Sequence, residues 1–277
     1  MPRPKIGAVS YLNTKPLVAG LETDASDYQL IFDLPSRLAD KLSQGELDVA
    51  LIPVIEAAAN PDYTIVSDAC IACQGPVWSV KLFSKVPIAE IKTLALDEGS
   101  RTSRALTRIF LANKFGIEPN CQLLPIDQDW TQTDCDAALV IGDRAMKTEA
   151  ANFPISLDLG TAWHDWTGMP FVFAVWAARP GTDLEYVSTL LSKARDSGLK
   201  CLAEIAADKA SRYNLSQADC LRYLDQFIHY HLGDQEKQGM DLYFQHAAKL
   251  ALIAQPCLLY TSPSPRDLST SRMPSSA

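Results

Sequence analysis

Long apolar runs and an excess of basic residues are both missing from this 277-residue sequence. No segment approaches the roughly 18 consecutive apolar residues that a membrane-spanning helix needs. The short apolar run near the N-terminus ends at Asn13 and Lys15, so we expect no secretory signal. Lysine and arginine number 25 against 33 aspartate and glutamate, a formal net charge of −8. These deficits argue against a membrane or a nucleic acid as the main partner, but not against a small anion, which backbone N–H groups can bind.

Histidine and paired cysteine are also scarce. Only four histidines occur, none before His164, and the seven cysteines form an odd, scattered set. Cys70 and Cys73 have the C-x-x-C spacing, but they lie among apolar residues and no second cysteine or histidine pair stands at a metal-binding spacing. We therefore predict buried, reduced strand thiols, as in a cytoplasmic protein, and expect no metal and no cofactor.

What the sequence does contain is a regular alternation of strand and helix patterns. Apolar runs typical of buried strands span residues 6–9 and 48–52, and YQLIFD at 28–33 is a further strand pattern; helical patterns stand between and after them. This spacing predicts βαβ units and a largely parallel sheet in an α/β protein. From residue 183 to about 254 the patterns are mainly helical. The length favours about two domains.

The first candidate site lies in IGAVSYLNTKPL, residues 6–17. The pattern is typical of a strand, a polar turn and a helix that carries Pro16 in its first turn. In open α/β sheets, ligands bind at the carboxyl ends of strands, facing helix N-termini. Ser10, Tyr11 and Asn13 are therefore candidate substrate contacts. The alternative is that Asn13 only turns the chain and caps the helix.

A second candidate is Ser79 in GPVWSVKLFS, residues 75–84. Apolar residues alternate there with the period of a half-buried strand, which places Ser79 on the face opposite Trp78. From this pattern alone, Ser79 is either a site residue or an ordinary strand hydroxyl bonded to nearby backbone.

The same arrangement of strand end and helix start occurs twice more. After the strand pattern TLALD (93–97), a loop with Ser100, Thr102 and Ser103 opens a helix and offers hydroxyl and N–H groups to a carboxylate or phosphate. It lacks the spacing of a Walker motif, and it is alternatively a serine-rich helix cap. After DAALVI (136–141), Gly142 and Asp143 open another helix, which Asp143 alternatively only caps.

Together these strand ends predict a cleft between two α/β lobes. We expect the first lobe to comprise residues 1–85 and 175–255 and the second lobe to comprise residues 86–174, with the chain crossing near Ser84. The segment 256–277 is mostly serine, proline and threonine, has no apolar period and is predicted to be disordered. It resembles translated sequencing-adapter DNA, so we expect that it is not native.

Six segments, in order, resemble the chorismate dehydratase family of the futalosine route to menaquinone. They are VSYLNTKPL, GELDVALIPVIE, GPVWSVKLFS, LDEGSRTS, VIGDRAM and WHDWTGMPFVFAVW. The resemblance runs from about residue 5 to 179 and more loosely to about 253. It implies a two-lobed fold similar to type II periplasmic binding proteins, working as an enzyme in the cytoplasm. The implied reaction is a carbon–oxygen lyase step, the loss of water from chorismate to give 3-[(1-carboxyvinyl)oxy]benzoate.

The resemblance also implies site residues. Asn13 and Ser79 would line the cleft and contact chorismate, while the turn of residues 100–103 and Gly142 with Asp143 would close on it from the second lobe. Because no histidine precedes His164 and an amide is too weakly basic, we expect a substrate carboxylate to take the proton, with Asn13 orienting it. Asp143 is the second candidate base.

Three alternative functions remain open on the sequence. A non-catalytic small-anion binding protein would have the same fold. A sister enzyme of the pathway acts on cyclic dehypoxanthinyl futalosine with a histidine base in the second lobe, where His164 is the sole histidine. A regulatory sensor would bind chorismate without converting it.

Overall fold

Two β-sheets carry the fold in the computed structural model, which describes residues 3–22, 27–146, 152–254 and 259–260. Strands and helices are numbered here in chain order. Within the described residues the first sheet has seven strands: β1 (Lys5–Val9), β2 (Gln29–Asp33), β3 (Val49–Pro53), β4 (Thr64–Cys73), β10 (Phe171–Ala178), β11 (His229–His231) and β12 (Leu259–Tyr260). Their spatial order is β11-β4-β10-β3-β1-β2, with β12 beside β4.

The second sheet has five strands in the part of the chain that the structure describes: β5 (Val80–Ser84), β6 (Thr93–Asp97), β7 (Asn120–Leu124), β8 (Ala137–Ile141) and β9 (Ile155–Asp158), in the order β7-β6-β8-β5-β9. Parallel pairs join β1 to β2 and β3, and β6 to β7 and β8. In contrast, β10 and β5 pair antiparallel with both their neighbours. The predicted α/β class is confirmed, but each sheet is mixed rather than largely parallel.

The helices pack against these sheets. They are α1 (Lys15–Glu22), α2 (Pro35–Ser43), α3 (Val54–Ala59), α4 (Arg101–Phe115), α5 (Asp143–Met146), α6 (Leu159–Thr167), α7 (Leu184–Lys200), α8 (Leu202–Lys209), α9 (Gln217–Arg222) and α10 (Asp234–Lys249). A π-helix at Tyr223–Phe227 follows α9, and a 3₁₀ turn at Leu12–Thr14 precedes α1. We call the first sheet with α1–α3 and α7–α10 the first lobe, and the second sheet with α4 and α5 the second lobe.

The chain crosses between the lobes earlier than predicted. It leaves the first sheet after Cys73 and enters the second at Val80, not near Ser84, and it returns to the first sheet in β10, which begins at Phe171. Apolar alternation correctly indicates that residues 80–84 form a strand. It does not show which sheet the strand joins, because the partners β8 and β9 lie 50 to 80 residues further along the chain.

Residues that the sequence analysis treated as core are buried. Cys70 and Cys73 lie in β4 as free, buried thiols, so the prediction of buried strand thiols is confirmed. Among the described residues, no helix combines the length and apolar character that a bilayer crossing requires. Of the segment 256–277, only β12 is described. The predicted disorder of the remainder therefore concerns residues outside the described ranges.

Candidate active site

A cleft between the two lobes collects most of the predicted site residues. Its empty volume, which includes space open to solvent, is about 520 Å³. It lies where β1, β3 and β8 end and α4 begins, the position expected for a ligand in an open α/β sheet. The lining side chains are uncharged: Val9, Tyr11, Asn13, Thr14, Pro35, Pro53, Ile71, Val77, Ser79, Val80, Ser100, Ser103, Ile141, Gly142, Phe173 and Ala174.

Asn13 reaches the cleft from the 3₁₀ turn that follows β1. The turn forms because the Thr14 amide donates back to the Tyr11 carbonyl at 3.2 Å. The Asn13 side chain is half-buried, and its Oδ1 atom accepts a hydrogen bond of 3.4 Å from Thr14 Oγ1. With Oδ1 engaged by a neighbour, the amide nitrogen is the part of Asn13 that is left to act as a donor.

Tyr11 extends from the first lobe onto two glycines of the second lobe. A Cβ atom at Gly142 would lie 3.3 Å from the Tyr11 ring, and one at Gly99 would lie 2.8 Å from the Tyr11 hydroxyl. A larger side chain at either position would therefore displace the Tyr11 side chain. The hydroxyl is buried and has no hydrogen-bond partner among the described residues. Burial, followed by the nearby Asp97, raises the pKa of this phenol, so Tyr11 is a neutral donor available to a ligand.

Ser79 lies on the segment that crosses between the lobes. Asp158 fixes this segment by accepting hydrogen bonds from the Val77 amide at 3.1 Å and the Trp78 amide at 2.6 Å. The Ser79 carbonyl accepts from the Gly142 amide at 2.8 Å. Its hydroxyl accepts from the Tyr223 hydroxyl, also at 2.8 Å. Ser79 is 2% exposed, so its place in the cleft wall is set from several sides.

Ser100 and Ser103 form the wall at the N-terminus of α4. Ser100 caps the helix by accepting from the Ser103 amide at 3.1 Å, and its own hydroxyl donates to Ser103 Oγ at 2.9 Å. The Ser103 hydroxyl proton therefore remains available to the cleft. The first N–H groups of a helix have no intrahelical partner, and the helix dipole makes this end favourable for an anion.

A buried ion pair supports this wall from the interior of the second lobe. Asp97, fully buried at the end of β6, pairs with Arg144 at 2.6 Å and accepts from the amides of Gly99 at 2.9 Å and Ile141 at 3.2 Å. Burial raises the pKa of this carboxyl, while Arg144 and the two amides act in the opposite direction. The pair thereby fixes both loops that reach the cleft, the one before Ser100 and the one at Gly142.

The cleft thus combines an apolar lining with several neutral hydrogen-bond donors and one helix N-terminus. The described residues contain no group of three or more histidine, cysteine, aspartate or glutamate side chains that could hold a metal ion. Such a site is suited to a small anion with an apolar body, because neutral donors can bind carboxylates without a matching cation.

Comparison with known proteins gives the family. Residues 4–249 match the family model described as menaquinone biosynthesis. The chain belongs to this family. Its relatives include proteins named chorismate dehydratase from Thermus thermophilus, 29% identical over 85% of this chain and 92% of the relative, and from Campylobacter jejuni, 24% identical over 87% and 92%.

The fold of this menaquinone-biosynthesis family member is that of periplasmic binding proteins. The aliphatic sulphonate binding protein SsuA from Escherichia coli superimposes with a TM-score of 0.61, at 16% identity, over 100% of this chain and 98% of SsuA. The two-lobed fold with a ligand cleft between the lobes, which the sequence resemblance implied, is confirmed.

Six of the nine residues predicted for the site line the cleft in this family member: Tyr11, Asn13, Ser79, Ser100, Ser103 and Gly142. Ser10 is exposed outside the cleft, and its carbonyl accepts from the Tyr213 hydroxyl at 3.2 Å. Thr102 is fully buried, and its hydroxyl donates to the Phe173 carbonyl at 3.0 Å, which ties α4 to β10. Successive residues of a helix point in different directions, so Ser103 faces the cleft while Thr102 faces the other lobe.

Asp143 and His164 lie outside the set of cleft-lining residues. Asp143 stands at the rim, close enough to Tyr11 and Tyr223 to raise the pKa of both phenols. Burial raises its own pKa to about 6, against the opposing effects of Lys15 and Arg212. His164 is on α6, where its Nδ1 atom is buried without a hydrogen-bond partner among the described residues.

The sequence analysis missed several residues that shape the cleft. Thr14 and Phe173 line it directly, and Tyr223 supports it from behind. Leu221, Leu224 and Ile228 have helical spacing, which predicts an ordinary helix and gives no sign of the π-helix that presents Tyr223. The sequence places Phe173 in a strand of aromatic and β-branched residues. It does not show which face of this strand lines the cleft.

Proposed function

We propose that this chain is a chorismate dehydratase that acts in the cytoplasm and converts chorismate to 3-[(1-carboxyvinyl)oxy]benzoate and water. The observation that carries the proposal is the uncharged cleft in which Asn13, Ser79 and Ser103 bring donors from both lobes to one apolar space. The two relatives named chorismate dehydratase, each covering more than four fifths of the chain, support it.

Chorismate suits this cleft chemically. It is a dianion at neutral pH with a carbocyclic body, so it needs carboxylate donors around an apolar space. The N-terminus of α4 and the hydroxyls of Ser79, Ser103 and Tyr11 are such donors. Because the donors are neutral, the cleft binds the substrate without neutralising a carboxylate that is needed as a base.

The reaction removes one proton from the ring carbon that carries the enolpyruvyl ether and expels the hydroxyl from the neighbouring carbon as water. A carbon–carbon double bond forms between them, and aromatisation of the ring provides the driving force. The protein then has mainly to orient and desolvate the substrate. We propose that a substrate carboxylate takes the proton and passes it to the departing hydroxyl, which leaves as water, and that the Asn13 amide orients this carboxylate. Asp143, at the rim, is the alternative base.

The first experiment supplies chorismate to the purified chain without added metal or cofactor and follows ultraviolet absorbance and product mass. We expect an aromatic product lighter than chorismate by one water. Binding detected by calorimetry without this product would contradict the proposal and favour a small-anion binding protein or a sensor. Conversion of cyclic dehypoxanthinyl futalosine instead would identify the sister activity.

The second experiment compares the two candidate bases. We expect Asn13→Ala to lower turnover roughly 100-fold, the scale of losing one positioned group, and Asp143→Asn to change it by less than about threefold. Asn113→Ala is the matched control, because Asn113 lies on α4 outside the cleft lining and its amide donates to the Ile109 carbonyl of the preceding helical turn. If Asp143→Asn alone abolishes turnover while chorismate still binds, the substrate-assisted mechanism is wrong.

A further inference from the structure

The buried hydroxyl of Tyr223 lies directly behind Asn13 and Ser79, the two predicted substrate contacts opposite Ser100 and Ser103. We call Asn13 and Ser79 the first wall of the cleft, and Ser100 and Ser103 the second wall. Tyr223 is 1% exposed, and its hydroxyl donates to Ser79 Oγ at 2.8 Å. The Asn13 side chain hydrogen-bonds to the same phenol. One hydroxyl from the helical C-terminal part of the chain therefore joins residues 13 and 79, which the sequence separates by more than sixty positions.

The hydrogen bonds at this phenol have a defined direction. Burial raises the pKa of Tyr223, so the phenol keeps its proton. Because Asn13 Oδ1 already accepts from Thr14, the amide nitrogen of Asn13 is the group that can donate to the phenol oxygen. The phenol proton then goes to Ser79, because a phenol is a better donor than an aliphatic hydroxyl. The Ser79 proton and the second amide proton of Asn13 have no acceptor among the described residues.

Two unusual backbone features hold Tyr223 in place. It begins a π-helix, an arrangement that is rare and is found frequently at functional sites. Trp78, next to Ser79, has a φ of 62°, the left-handed conformation that non-glycine residues seldom adopt. The Trp78 ring packs edge-on against Tyr223 and Phe227, both at 6.0 Å between ring centroids. Such strain persists only where the surrounding structure requires it.

We propose that Tyr223 is a positioning residue that makes both Asn13 and Ser79 present hydrogen-bond donors to a carboxylate in the cleft. By accepting one amide proton of Asn13 and donating to one lone pair of Ser79, it leaves each with a proton directed away from itself. Without it, the Ser79 hydroxyl can rotate and the Asn13 amide can flip, so the donors are no longer fixed toward an anion. This inference rests on the proposed dehydratase function.

Tyr223→Phe tests the role, because it removes the hydroxyl and keeps the ring that packs on Trp78. Tyr230→Phe is the matched control, since Tyr230 is a buried neighbour on β11 whose hydroxyl has no hydrogen-bond partner among the described residues. We expect Tyr223→Phe to lower kcat for chorismate roughly 10- to 100-fold with a smaller change in KM, and Tyr230→Phe to leave both unchanged. Activity is measured per folded protein, below the melting transition of each variant.

A double variant separates positioning from general packing. If Tyr223 acts through Ser79, then Ser79→Ala with Tyr223→Phe should lose no more kcat than the more damaging single variant. If the losses of the two single variants multiply in the double variant, the inference is wrong. It is also wrong if Tyr223→Phe keeps the wild-type kcat. Absence of turnover in the wild-type chain would instead reject the proposed function. If the wild-type chain converts chorismate and Tyr223→Phe converts it equally well, only the role of Tyr223 is rejected.

Discussion

The two walls of the cleft hold their polar groups by different means. In the second lobe, Ser100, Ser103, Asp97 and Arg144 lie within one stretch of fewer than fifty residues and bond one another locally. In the first lobe, Asn13 is held by Tyr223, which also bonds Ser79 across 144 residues of sequence. The second wall is therefore a self-contained unit, whereas the first exists only when distant parts of the chain have come together.

This difference separates stability from function. The ion pair below the second wall is buried and hydrogen-bonded on several sides, so damage there leaves an uncompensated charge in the protein interior. The first wall contains only neutral groups, and removing one costs a hydrogen bond rather than a charge. Substitutions in the second wall should therefore act mainly on folding, and those in the first wall mainly on turnover.

The largest expected effect comes from Arg144→Met. It removes the counter-charge of Asp97, a fully buried carboxyl whose pKa burial already raises. We expect a loss of about 3–5 kcal/mol in the free energy of unfolding, the range for breaking a buried ion pair. Urea denaturation measures it, with the exposed Arg108→Met as a control of the same chemistry. A loss as small as in that control would show that the second wall does not depend on the pair.

The same contrast decides what the sequence could predict. The loop at Ser100 and Ser103 and the turn at Gly142 follow from local patterns, a helix cap and a strand end, and the structure brings these residues into the cleft. Tyr223 could not be predicted, because its π-helix has no local signature and its partners lie far away in the sequence. The lobe of β5 was misassigned for the same reason: pairing with β8 and β9 is a long-range property.

The next effect concerns the rim of the cleft and depends on pH. Burial raises the folded-state pKa of Asp143 to about 6, above the value near 3.9 expected in the unfolded chain. Between these pH values the folded state therefore binds more protons than the unfolded chain. The contribution of Asp143 to the free energy of unfolding falls as the pH rises from about 4 to about 6. Asp143→Asn removes that penalty, so we expect the variant to be more stable than the wild type by up to about 3 kcal/mol at pH 7.5.

Urea denaturation of both proteins at pH 4.0 and pH 7.5 makes this comparison. The difference between variant and wild type should shrink to about 0.5 kcal/mol at the lower pH, where Asp143 is protonated in the folded state and about half protonated in the unfolded chain. A difference that stays constant across the range would mean that the carboxyl is not desolvated at the rim. It would also weaken the case for Asp143 as the alternative base, since its raised pKa is what suits it to accept a proton near neutral pH.

The smallest expected effect on stability is that of Ser100→Ala, and it tests whether the second wall has any functional part of its own. The substitution removes the cap on the Ser103 amide and should cost about 1 kcal/mol. Asp183→Ala, which removes the equivalent cap of α7 away from the cleft, should cost a similar amount. Only Ser100→Ala should also slow chorismate turnover, because Ser100 directs the Ser103 hydroxyl toward the cleft. Equal turnover in the two variants would show that the serine hydroxyls of the second wall do not contribute to turnover, and would leave carboxylate binding to the first wall and the backbone N–H groups at the start of α4.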